Sequence, residues 1–350
     1  MYLMISKGNS ELFTMKNRYM KWILFSAALL LLLLISIAVS LLIGEVKISL
    51  FQLQEILNDH RSMAYMVLTK IRIPRLILAA SVGGALSLSG AILQGIYRNP
   101  LVEPYTLGIS GGAALGVSIA IVFGLNTISF LALPVFGFIG AIITLFLVYF
   151  LSLKKSGLSV NSMLLIGVMV SFVSSSAMMF MMSITTTDNV QNIVFWVMGS
   201  MDETNHVLIK IAFYSSLSGL FLAYFFAQPL NALRLGDAKA RHLGINTNLT
   251  IRILFFLASL LTGIAVAVAG VIGFVGLVIP HLIRLVIGND YRILLLGSFL
   301  GGAIFLILSD TLARTIISPN ELPIGVITGF AGGIVFIAVL SRSKSHFKLN

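Results

Sequence analysis

The chain has 350 residues, 58% of them hydrophobic, with 23 Lys and Arg against 12 Asp and Glu. A soluble domain is roughly 45–50% apolar and about 25% charged, so a soluble enzyme is excluded. A span needs about 20 apolar residues, and ten of them leave no room for a sizeable soluble domain. Cysteine is absent, which removes disulfides, thiolate metal sites and Cys nucleophiles. In a membrane protein the net charge of +11 points to basic cytoplasmic loops rather than to nucleic acid.

In chain order, Trp22 to Ile43 is too long for a signal-peptide core and lacks a small-residue cleavage pattern, so it reads as a retained first span. Nine further apolar runs follow near 74–93, 106–124, 128–151, 160–183, 207–227, 249–270, 272–287, 293–313 and 323–341. With the N-terminus inside, sixteen basic residues fall in cytoplasmic segments, including Lys7, Lys154, Lys155, Lys344 and Lys348. Seven fall outside: Lys47, Arg61, Lys70, Arg72, Arg75, Lys210 and Arg314. This bias predicts ten spans with both termini cytoplasmic. Small residues at helical spacing in Ser81–Gly90, and Gly108, Gly111, Gly112, Gly116, Gly270, Gly273 and Gly276, predict tight helix packing or a translocation path. Pro100, Pro104 and Pro280 are read as helix breakers.

Polar residues in so apolar a chain need a reason. Asp310 and Arg314 are four apart near the outer end of a run, which allows a mutual ion pair. Alternatively, Asp310 braces an arginine held towards an acidic partner. Glu321, between Pro319 and Pro323, suits the start of the last span, where a carboxylate meets the positive end of the helix dipole. Arg72 and Arg75 bracket Pro74, either as a snorkelling interfacial pair or as a patch for an acidic protein. Gly236 to Gly244 is the most polar interior segment; Asp237 and Arg241 have the favourable i, i+4 order for a short helix ended by Gly244. It is either a solvated loop or a rigid handle for a soluble motor subunit. In the fifth span, Ser171, Ser174, Ser175 and Ser176 lie beside Met178, Met179, Met181 and Met182, as flexible filler or as the lining of a wide path. The five histidines fall in separate segments, and no Gly-x-x-x-x-Gly-Lys-Ser/Thr loop occurs. No catalytic residue, metal site or cofactor is expected, and energy must come from another chain or an ion gradient.

From about residue 70 to 341 these residues resemble the membrane subunits of type II ABC importers for iron-siderophores, haem and vitamin B12, the FecCD-type permeases. The anchors are Arg72-Ile-Pro-Arg75, Gly90-Ala-Ile-Leu-Gln-Gly95, Arg98-Asn-Pro-Leu101 with Glu103-Pro104, and Leu107-Gly-Ile-Ser-Gly-Gly112. They continue with Trp196-Val-Met-Gly-Ser200, Ala240-Arg-His-Leu-Gly244, Gly273 to His281 with Arg284, Asp310-Thr-Leu-Ala-Arg314 and Glu321-Leu-Pro-Ile-Gly325. Each is weak alone, but nine in family order are specific.

The resemblance implies an all-α, ten-helix permease of a bacterial cytoplasmic membrane, working as a homodimer or heterodimer with a second permease chain. It also implies two cytoplasmic ATPase subunits and an extracytoplasmic binding protein. Residues 1–20 would form a cytoplasmic segment, 21–341 the permease domain with a coupling region at 228–246, and 342–350 a cytoplasmic tail. By matching motif, Arg72, Arg75 and Arg314 would meet glutamates of the binding protein, while Gly236, Asp237, Ala240, Arg241, Leu243 and Gly244 would seat in the ATPase. Asn99 and Leu101, with Val160 and Asn161, would close the inner end of a path lined by the fifth span, including Ser171, Ser174 and Ser175. Asp310, Glu321 and Pro280 would be structural. The expected cargo is an iron(III)-siderophore-type chelate, with haem or cobalamin as alternatives. An ion-coupled secondary transporter would carry mid-membrane acids or histidines, whereas the acids here sit at segment ends. A membrane enzyme would need a catalytic cluster that is absent from the sequence.

Overall fold

The computed structural model describes residues 2–44, 58–154, 157–158 and 160–343. Glu45, Lys47, Lys155, Lys344, His346 and Lys348 therefore lie outside the described residues. The chain runs through α1 (Tyr2–Leu42), α2 (Met63–Tyr97), α3 (Ile109–Val122), α4 (Ala132–Leu151), α5 (Val160–Ser183), α6 (Thr187–Met198) and α7 (His206–Phe225). It continues through α8 (Ala227–Leu233), α9 (Asp237–His242), α10 (Thr247–Ala269), α11 (Val275–Ile287), α12 (Tyr291–Thr315) and α13 (Ile324–Ser343). A two-residue antiparallel pairing, Leu153–Lys154 with Gly157–Leu158, turns the chain between α4 and α5.

Among the described residues, seven helices are long and apolar enough to cross a membrane, and α3, α11 and α13 contain shorter apolar stretches. Together these ten match the ten apolar runs. Such helices form because a backbone in hydrocarbon must satisfy its own hydrogen bonds, and short polar side chains define several starts. Asn205 accepts from the Val207 N–H at 2.8 Å, Asn246 from Leu249 at 3.1 Å and Asp290 from Arg292 at 3.0 Å. Helix α6 was not foreseen as an element: its twelve residues mix polar and apolar positions without the length of a span.

Helix α2 is the axis of the bundle, packed by α12, α10, α7 and α11, while α3, α4 and α5 form an adjoining group and α1 lies along α12. Apolar burial does not drive helices together in lipid, so close van der Waals approach has to. Glycines provide it: a Cβ on Gly83 of α2 would lie 2.3 Å from the Gly302 carbonyl oxygen of α12, and one on Gly302 would lie 2.2 Å from that of Gly83. Gly112 and Gly140 bring α3 and α4 equally close, and a Cβ on Gly90 would come within 1.9 Å of the Gly276 oxygen. For these glycines the packing reading is the right one.

Pro280 breaks nothing; it lies inside α11, and the helix is interrupted earlier, over Gly270 to Phe274. Pro280 withholds an N–H from the Gly276 carbonyl, and Gln94 Nε2 donates to that carbonyl at 3.3 Å instead. Helix α11, with 13 residues, is about 20 Å long, short of the roughly 30 Å of a bilayer core.

Candidate functional site: two charged ends and a broken helix

Arg18 and Ser40 on α1 are 22 residues, about 33 Å, apart along the helix, and each marks one end of the bundle. Arg18 pairs with Asp290 at 2.5 Å at the start of α12, while Ser40 meets Arg314 near the end of α12. The functional candidates gather at these ends.

At the Ser40 end, Arg75 is 8% exposed and meets three carboxylates from three segments. Its Nε lies 2.7 Å from Asp310 Oδ1, its Nη2 2.8 Å from Glu321 Oε2, and its Nη1 pairs with Asp202. Asp310 also reaches Arg314, whose Nε is 3.1 Å from Oδ2, and Arg314 Nη2 donates to Ser40 Oγ at 3.0 Å. Arg72, in a π-helical turn of α2 (Val67–Arg72), donates to the Leu41 carbonyl. Sequence spacing foresaw the Asp310–Arg314 pair. It did not foresee that all three arginines turn inward, so neither a snorkelling pair nor an open patch forms. A guanidinium without a carboxylate is costly in apolar surroundings, and Asp310, 1% exposed in its side chain, serves two of them. Glu321 is directed to Arg75. Asp202, whose role the sequence left unassigned, is 62% exposed in its side chain and is held by Ser200 Oγ at 2.6 Å.

Between the two ends, the break over Gly270 to Phe274 meets the α2–α3 connection. Gly270 has φ +71° and its would-be Cβ lies 2.4 Å from the Trp196 oxygen, so only glycine fits. The Tyr105 hydroxyl donates to the Ile272 carbonyl at 2.9 Å and accepts from the Ile272 N–H at 3.0 Å. Glu103, in the same connection, lies beside the Phe274 N–H; burial pushes its carboxyl above the usual range, and the nearby N–H opposes the shift. The Tyr105 hydroxyl thus satisfies backbone that the interruption frees, as broken helices in membranes require. Glu103 sits at a segment end beside that break. Only the Glu103-Pro104 motif, beside a tyrosine, hinted at this in the sequence.

At the Arg18 end lies the polar segment. Gly236 has φ +99° and Gly244 φ +81°, and between them α9 forms as expected. The Asp237–Arg241 pair does not form: Asp237 instead takes Arg98 Nη2 at 3.1 Å, and Arg241 Nε donates to Thr247 Oγ1 at 3.1 Å. Ala240 is fully buried and anchors the helix, whereas Lys239, Arg241, His242, Leu243 and Gly244 protrude. Asn99 and Leu101 share a turn, the Leu101 N–H donating to Asn99 Oδ1 at 2.9 Å, and both are exposed. Val160 and Asn161 open α5.

Residues 32–342 match the FecCD transport family. The chain belongs to that family. It is a type II ABC importer permease, a multi-pass membrane transport subunit. The FecCD chain is 40% identical over 279 residues to the hemin transport system permease protein HmuU of Yersinia pestis, covering 79% of this chain and 83% of the relative. It is 35% identical over 333 residues to the vitamin B12 import system permease protein BtuC of Klebsiella pneumoniae, covering 95% and 96%. A solved structure of a metal-chelate type ABC transporter in an inward-facing conformation aligns with a TM-score of 0.82 at 33% identity, over 91% of this chain and 98% of that one.

In this FecCD permease the serines of α5 do not share one open face. Ser174 is buried, and Ser171 and Ser174 oppose Gly111 of α3, where a Cβ would come within 3.3 Å of both. Ser175 is half-buried, and the exposed side of α5 is Phe172, Val173, Ser176, Met179 and Phe180. Ser174 also borders a groove of about 650 Å³ between α3, α4 and α5, which is lined almost wholly by apolar side chains.

Proposed function

We propose that this permease is half of the membrane channel of an ATP-driven importer that takes up an iron(III)-siderophore-type chelate. The observation that carries the reading is the coupling segment: a short helix, anchored by Ala240, presents Lys239, Arg241, His242 and Leu243 at the basic end of the bundle. That is the form a soluble ATPase needs in order to push on the spans behind it. The basic end is the cytoplasmic one by the positive-inside rule, which puts both termini in the cytoplasm and the arginine cluster outside. The membrane is the cytoplasmic membrane of a bacterium. Cargo passes at the interface with a second permease chain, and closure of the ATPase pair alternates the two openings.

The outer cluster receives the binding protein. Arg72, Arg75 and Arg314 are buried, so docking works by exchange: glutamates of the incoming lobes replace Asp202 and Glu321, the two exposed carboxylates on Arg75. Iron chelate is favoured by the likeness to a metal-chelate type transporter over nine-tenths of the chain; haem and cobalamin, named for relatives, are the alternatives. Co-expression with candidate ATPase and binding-protein genes of the same genome tests the reading. The permease should co-purify with the ATPase, and the binding protein should bind an iron(III)-siderophore in preference to haem and cobalamin. A binding protein selective for either of the others moves the cargo, and an absence of ATPase in the complex rejects the importer.

A further inference from the structure

At the basic end, the C-terminal ends of α2 and α11 and the start of α12 enclose a pocket of about 310 Å³, lined among others by Gln94, Arg98, Arg234, His281, Arg284 and Tyr291. Three arginines face one small space. Arg98 shares its charge with Asp237 at 3.1 Å. Arg234 donates from Nη1 to the Asn289 carbonyl at 2.7 Å, and Arg284 lies beside the Tyr291 hydroxyl, so both face neutral partners. Among the described residues neither forms an ion pair. Arg284 is half-buried and Arg234 exposed, so the pocket holds positive charge that no carboxylate among the described residues pairs.

The floor of the pocket has a second requirement. Gln94 is 3% exposed and its amide is fixed, Nε2 donating to the Gly276 and Leu277 carbonyls at 3.3 Å each. Its Oε1 is left buried with no partner, as is Nδ1 of His281. A buried acceptor without a donor is unfavourable. The natural occupant therefore combines an anion for the arginines with a hydroxyl or ammonium donor for the floor. A protein carboxylate supplies the first and lacks the second. On the α11 end that carries Arg284, Leu285 and Val286 are 62% and 69% exposed, which gives an apolar border at the place where a headgroup joins its chains.

We propose that this pocket binds a phosphate group, that of an anionic glycerophospholipid headgroup, with Arg234 and Arg284 on the phosphate and Gln94 Oε1 accepting from a headgroup hydroxyl. Basic pockets between span ends are sites of this kind. The site adjoins Arg98, whose pair with Asp237 ties the end of α2 to the coupling helix, and an occupied pocket steadies the seat of α9 on α8 and α10.

The test uses the full-length permease, purified in detergent and stripped of native lipid. It is titrated with phosphatidylglycerol, phosphatidylcholine or inorganic phosphate and read by native mass spectrometry. One phosphatidylglycerol should bind per chain, with no saturable phosphatidylcholine. The double change Arg234→Gln, Arg284→Gln should weaken phosphatidylglycerol about 30-fold, while Arg234→Lys with Arg284→Lys stays within a few fold. Should the double variant misfold, the exposed Arg234→Gln alone carries the test with a loss of about fivefold. Phosphatidylglycerol affinity unchanged by these substitutions overturns the proposal. Variant-sensitive binding of inorganic phosphate without lipid keeps the phosphate site and rejects the lipid as its source. A pocket that stays empty with every probe and is covered only when the ATPase is added overturns both.

Discussion

Replacing Asp310 by Ala isolates the role of the arginine cluster at the Ser40 end of the bundle. The carboxylate is 1% exposed in its side chain and stands 2.7 Å from Arg75 Nε and 3.1 Å from Arg314 Nε. Its loss leaves two guanidiniums facing each other in apolar surroundings, and removing one partner of a buried pair costs about 3–5 kcal/mol. Arg75 keeps Asp202 and Glu321, which lowers the cost on its side; among the described residues Arg314 keeps the Ser40 hydroxyl and carbonyl as hydrogen-bond partners. The expected destabilisation of Asp310→Ala is therefore about 3 kcal/mol. Asp310→Asn, which still accepts a hydrogen bond, should cost about 1.5–3 kcal/mol. Asp202→Asn, on a mostly exposed carboxylate, should cost no more than about 1 kcal/mol. Denaturant titration of helix content in mixed micelles measures all three on one scale. If Asp310→Ala falls within about 1 kcal/mol of the parent, or if Asp202→Asn costs as much as Asp310→Ala, the cluster is not organised around Asp310.

Gly302→Ala places a methyl 2.2 Å from the Gly83 oxygen and should destabilise by about 1–3 kcal/mol, whereas Gly273→Ala, with nothing within 4 Å of its would-be Cβ, should stay within about 1 kcal/mol by the same titration. Tyr105→Phe strands both backbone groups of Ile272 and should cost about 1–3 kcal/mol, with faster amide exchange at the α10–α11 break. Leu243→Glu changes a side chain that is 63% exposed, so it should leave the melting temperature unchanged while abolishing co-purification with the ATPase. Glutamate at Arg72, Arg75 and Arg314, in variants that keep the helix content of the parent, should remove the stimulation of ATP hydrolysis by binding protein, and in the parent that stimulation should decline with salt, which screens the encounter of charged surfaces. Unchanged stimulation in the variants removes the docking role.

The ten spans were legible because hydrophobicity over about 20 residues is a local property, and the Asp310–Arg314 pair was legible because i, i+4 spacing places both on one turn. Arg75–Asp310 was not, since its partners are 235 residues apart and only the packing of α2 on α12 joins them. The same limit explains the failed Asp237–Arg241 pair: local order favoured it, but Arg98 at the end of α2 competed for the carboxylate and Thr247 took Arg241. Pro280 misled because the carbonyl it leaves free, that of Gly276, is met by Gln94 from α2, and the real interruption needed Gly270 together with the Tyr105 hydroxyl from a distant segment. The α5 serines read as a lining because they recur at helical spacing; small residues with that spacing equally serve close helix contact, and Ser171 and Ser174 oppose Gly111 of α3.

The central claim is that this permease is moved by an ATPase partner rather than by an ion gradient. Proteoliposomes holding the permease with its ATPase, supplied with binding protein and radiolabelled iron(III)-siderophore, test it most directly. Uptake should require internal ATP and external binding protein and should persist when the proton gradient is collapsed. Uptake by the permease alone, driven by an imposed proton gradient without ATP, would contradict the account.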